Sequence, residues 1–139
     1  MTQSSDLRAA LLMGLGGGMR SFAPPVALAV HGRGPLAGPA RFIAFGAGAG
    51  EFIADKSPRM PSRWSPRGMT LRLAFSATGG RALAGAPGAG IAAAAALASA
   101  FVGSQLRTNV HGRGRQLAAG AVEDALSYSL VLTAAASLR

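Results

Sequence analysis

The chain has 139 residues, of which 50% are hydrophobic and only 14% charged, with no cysteine and 14 Lys and Arg against 5 Asp and Glu. A soluble domain of this size carries about a quarter charged residues, and the lack of cysteine excludes disulfides, thiol catalysis and thiolate metal centres. A net charge of +9 and a pI near 11.9 would suggest nucleic acid in a soluble protein. Here, however, the basic residues fall between apolar blocks, as in membrane loops, and no basic stripe is interleaved with aromatics, so no nucleic-acid partner is expected.

In chain order, four apolar segments can be drawn, and they predict an all-α polytopic membrane helix bundle forming one domain over residues 1–139. The first, Leu7 to Val30, reads as an insertion signal that is kept, since Gly16 to Gly18, Arg20 and Pro24-Pro25 do not resemble a leader with a cleavage site. It should be broken near Arg20–Pro25, because the two prolines supply no amide donors. The second, Phe42 to Asp55, is short for a full crossing. The third runs from about Leu73 or Ala82 to Leu106, with no charge from Ala82 onward, and the fourth from Gln116 to Leu138, interrupted only by Glu123 and Asp124. The last two are long enough for a hydrocarbon core of about 30 Å.

Small residues fill every segment, so helix backbones can approach closely, and a homodimer or larger assembly is expected. Between the second and third segments, Lys56 to Arg72 holds five basic residues, three prolines and Trp64 but no acid. It reads as a loop at an anionic leaflet, with lipid headgroups as partners and Trp64 at their level. With four spans this loop and both termini share one side, the cytoplasmic one. Arg33, Arg41, Arg113 and Arg115 on the other side keep the bias modest and leave dual orientation open.

Val30-His31-Gly32-Arg33-Gly34 recurs as Val110-His111-Gly112-Arg113-Gly114, and each copy follows a Gly-x-x-x-Arg element, Gly16 to Arg20 and Gly103 to Arg107. Two halves, residues 7–56 and 82–139, could therefore be duplicates, as in many transporters, with chance as the competing explanation. His31 and His111 are either a metal pair or pH sensor, or simply polar turn residues.

The placement of the acids carries the most information. Of five, only Asp6 is terminal, whereas Glu51, Asp55, Glu123 and Asp124 lie in or at the ends of apolar segments, where a carboxylate costs several kcal/mol unless it is paired, protonated or bound to a cation. Glu51 and Asp55 are one helical turn apart and share a face. Glu123 and Asp124 diverge by about 100° and cannot enter one narrow site together. Two readings stay open. In the first, Glu51, Asp55 and Glu123 hold a hard cation or pass protons, with Ser127 and Tyr128 as neutral oxygen ligands. In the second, the acids are ion-paired to Arg20 and Arg107. The candidate site is thus Arg20, Glu51, Asp55, Arg107, Glu123 and Asp124. No nucleophile stands with a histidine and an acid, and no cofactor motif occurs, so neither catalysis nor a cofactor is expected.

Gly18-Met19-Arg20-Ser21-Phe22, Asp55-Lys56 with Pro58, Pro61-Ser62-Arg63 and Glu123-Asp124-Ala125 together resemble a bacterial family of uncharacterised small integral membrane proteins. That family's pattern is Gly-Leu-Arg-Ser-Phe, Asp-Lys-x-Pro, Pro-Ser-Arg and Glu-Asp-Ala, with Met19 here in place of the leucine. The resemblance implies a multi-pass protein of the bacterial cytoplasmic membrane. The expected function is transport of a small cation or protons, the alternative being a lipid-interacting or scaffold protein whose charges are structural.

Overall fold

The computed structural model describes residues 3–32, 38–54 and 65–137. Five helices follow one another: α1 Gln3–Met19, α2 Ala23–Val30, α3 Ala40–Ala54, α4 Pro66–Thr108 and α5 Arg113–Ala136, with no strand among the described residues. Helices α4 and α5 each contain a stretch long and apolar enough to cross a bilayer.

Ser65 starts α4. Its Oγ accepts the amide of Gly68 at 3.3 Å, and Pro66 fills the first turn, where a missing N–H is harmless. Residues 66–72 are therefore helical rather than part of a loop, and Arg72, expected at a headgroup surface, is buried. Residues 56–64 of that predicted loop, Trp64 among them, and Asp55 before them lie outside the described residues.

The third apolar segment, read from sequence as one helix, is two. Ala84 (φ −141, ψ 25) and Gly85 (φ 64, ψ −151) leave the helical region inside α4, and the second of these conformations suits only glycine. In a straight helix Gly80 and Gly88 would be about 12 Å apart. Here a Cβ on either would strike the backbone carbonyl of the other. The chain folds back, so α4 is a hairpin of two arms, residues 66–83 and 86–108.

Helix α1 runs through the middle of the bundle, and the glycine triplet explains how. Successive residues point about 100° apart, so Gly16, Gly17 and Gly18 face three different neighbours. Gly16 meets Ser127 and Val131 of α5, Gly17 meets Ser76 of the first α4 arm, and Gly18 meets Ala96 and Ser99 of the second. Gly14, one turn before Gly18, meets Ala92, one turn before Ala96. This is the four-residue spacing of small residues that lets two helix backbones touch.

Helix α2 does not continue α1, since Pro24 packs onto Gly17, seven residues earlier. Helix α3 then returns beside α2, with Gly48 against Val26, and presents Phe42, Ile43 and Ile53 outward. The interior is built of alanine and glycine, with Met13, Leu28 and Val131 as its largest apolar members. Phe101, Leu106, Leu117 and Val122 lie on the outside.

Candidate functional site: a helix break held by arginines and carboxylates

The break at Arg20-Ser21-Phe22 allows a complete account of its backbone donors. The Arg20 amide reaches Gly16 O at 3.1 Å and the Ala23 amide reaches Arg20 O at 3.3 Å, while Pro24 and Pro25 have none to place. The amides of Ser21 and Phe22 remain. Glu51 of α3 accepts both, Oε1 from Ser21 at 2.9 Å and Oε2 from Phe22 at 3.0 Å. A carboxylate is thereby bound across the N-terminus of α2, where free N–H groups and the helix dipole favour negative charge.

Arg20 is 5% exposed and directs both Nε and Nη2 at Oδ1 of Asp124 on α5. The neighbouring acid turns elsewhere: Arg107, near the end of α4, directs Nε and Nη2 at Oε2 of Glu123 at 2.9 and 2.7 Å. Because adjacent residues of α5 diverge by about 100°, its two acids grip two different places, the break after α1 and the end of α4. Ser127, one turn after Glu123 and Asp124, donates its hydroxyl to Gly16 O at 2.8 Å. Tyr128 stands within electrostatic reach of Glu51, Arg20 and Asp124, and its hydroxyl lies beside Gly48.

Of the residues singled out in sequence, Arg20, Glu51 and Asp124 gather at the break, with Ser127 and Tyr128 beside them. Arg107 and Glu123 form a separate pair between α4 and α5. Asp55 is outside the described residues. Among those described, no three acids or histidines stand close enough to hold a metal ion, and Glu51 and Glu123 belong to different contacts. His31 closes its own helix, with Nδ1 3.0 Å from Ala27 O, and His111 is exposed. Gly32 and Gly112, the matching glycines of the two Val-His-Gly copies, both have positive φ, 61 and 98.

Three buried polar residues escaped the sequence reading: Arg72, Ser76 and Ser99. For the first two a signal existed. Arg72, Ser76, Gly79 and Leu83 recur at helical spacing and trace one face of the first α4 arm.

Two cavities flank the polar centre. One of about 360 Å³ lies among Val26, Gly48, Phe52 and Tyr128. The other, about 500 Å³, separates the second α4 arm from α5 and reaches down to α1; its wall includes Arg107 and Glu123. Comparison with protein-family models, curated proteins and solved structures finds no match to this chain.

Proposed function

We propose that this is a multi-pass membrane protein of the lipid-interacting or scaffold kind, in which the buried charges form a fixed frame. The observation carrying this reading is that Glu51, Glu123 and Asp124, the described acids beyond the N-terminus, are each already engaged: Glu51 by two amides, Asp124 by Arg20 and Glu123 by Arg107. A carboxylate so held is expensive to release into an apolar interior. Membrane location is supported by the two long apolar helices and by the distribution of side-chain size. Small residues inside and large apolar ones outside suit a bundle whose surroundings are apolar, where close backbone packing replaces hydrophobic burial. Bacterial inner-membrane location and assembly into a dimer or larger belong to the same proposal.

A second reading, transport of protons or a small cation, is favoured by one observation. Glu51, Asp124, Arg20 and Tyr128 gather at the one place where the inner helix is broken, and broken helices are where transporters place ions. Reconstitution separates the two. In a fixed frame, Glu51→Gln unfolds the protein or lowers its melting temperature, Arg20→Ala does the same, and proteoliposomes of the native chain show no cation or proton flux. In a transporter, Glu51→Gln folds normally and abolishes a flux that the native chain supports.

A further inference from the structure

The geometry points to a seat for an anionic phospholipid in the groove between the second α4 arm and α5, with an acyl chain along the groove and its phosphate at the Arg107–Arg115 end. This rests on the membrane reading above and adds a ligand class and a location to it. Helices α4 and α5 scarcely touch each other; both lean on α1 instead, and the space between them is the cavity of about 500 Å³. That volume is within the ordinary range for one small ligand. Leu15 and Met19 of α1 form its floor, and Val102, Leu106, Val122 and Leu126 form its sides. Away from Arg107 and Glu123, the walls suit a hydrocarbon chain and offer almost nothing to a polar solute.

The end of the groove nearest the α4–α5 turn has the opposite character. On α5, Ala119, Val122 and Leu126 line the groove, and Arg115 precedes Ala119 by four residues. Arg115 therefore stands on the same helix face, one turn closer to the turn between the helices, and its side chain is exposed. Arg107 lines the groove from the other side. From Thr108 to Val122 the chain contains arginine and no acid, so the charge of Glu123, already facing Arg107, leaves this end with a cationic surplus. Gly112 caps α5 and has no side chain to close its first turn, and the first-turn amides of α5 stand at the same end. Guanidinium groups and helix amides are the usual recognition chemistry for phosphate. An apolar slot with a cationic mouth is complementary to a lipid with a negative headgroup, and a zwitterionic lipid would place a cation against arginines.

The test uses the purified full chain in detergent and native mass spectrometry, with phosphatidylglycerol and phosphatidylcholine of identical acyl chains as probes. The native chain should retain phosphatidylglycerol about tenfold more strongly. Arg115→Gln, a change at an exposed residue, should remove that preference while keeping residual binding of both lipids. Ala119→Trp, which fills the groove, should lose both. Equal retention of the two lipids by the native chain overturns the proposal, as does an Arg115→Gln protein that keeps the preference. A Val122→Cys variant that cross-links to a second copy in membranes, with no lipid retained, would show that another protomer occupies the groove and would also overturn it. Carbonate extraction of the native chain distinguishes the levels: a protein that stays in the membrane without lipid preference sinks only this inference, whereas one that is extracted sinks the reading beneath it.

Discussion

Arg20 at the end of α1 and Asp124 in α5, 104 positions apart in sequence, form a buried ion pair in which one carboxylate oxygen receives two nitrogens of the guanidinium. Their side chains are 6% and 15% exposed, so the attraction is little screened and neither charge can be left alone cheaply. Removing one partner of such a pair costs about 3–5 kcal/mol. Arg20→Ala and Asp124→Ala should each lower the melting temperature in detergent strongly. An Arg20→Met, Asp124→Leu double variant should recover part of that loss, and the double-mutant cycle should return a coupling well above that of an exposed pair.

The glycines of α1 and α3 should respond in opposite directions to the same change. A Cβ on Gly14 would fall within the carbonyl oxygen of Ala92, and one on Gly18 would fall on Ala96 O and Ser99 Oγ. Backbone atoms cannot move aside as the tip of a side chain can, so Gly14→Ala and Gly18→Ala should destabilise by about 1–3 kcal/mol or more. Gly46 and Gly50 on α3 have nothing within 4 Å. There alanine only restricts the unfolded chain, and Gly46→Ala and Gly50→Ala should be neutral or stabilising by up to about 1 kcal/mol. Thermal melts of the four variants side by side provide the check.

The parts of this fold that were legible in sequence are those written in covalent chemistry. Pro24-Pro25 after Arg20 announces a helix break, because prolines lack donors whatever surrounds them. Acids in apolar segments announce partners, as Glu51, Glu123 and Asp124 show, and the adjacency of Glu123 and Asp124 announces that the partners differ. What stayed hidden depends on tertiary placement. Which arginine meets which acid is decided by how α1, α4 and α5 align. The partner of Glu51 is a pair of backbone amides, which a search for opposite charges does not consider. The reversal at Ala84 and Gly85 was invisible to hydropathy, since both residues are as apolar as the helices they join. Ser65-Pro66 is a helix-start signal that was overshadowed by the basic, proline-rich residues before it.

Gly85 holds φ 64 and ψ −151, a combination that costs any residue with a Cβ about 1–3 kcal/mol. Gly85→Ala should therefore loosen the α4 hairpin, lowering the melting temperature and widening the separation of spin labels placed on its two arms. Gly90, also in α4 but with a helical backbone and open space around it, is the control. Gly90→Ala should leave both readings unchanged.

Ser76 and Ser127 are both fully buried against the glycine triplet of α1, yet they should behave differently. The Ser127 hydroxyl donates to Gly16 O at 2.8 Å, whereas the Ser76 Oγ has no hydrogen-bond partner among the described residues. A buried hydrogen bond contributes about 1 kcal/mol net, while a buried hydroxyl without one is a desolvation cost of similar size. Ser127→Ala should destabilise by about 1 kcal/mol. Ser76→Ala removes a buried hydroxyl that makes no hydrogen bond there, so it should be neutral or raise the melting temperature. A loss in Ser76→Ala equal to that in Ser127→Ala would mean that the hydroxyl has a partner after all, and that the contact between α1 and the first α4 arm is polar rather than purely steric.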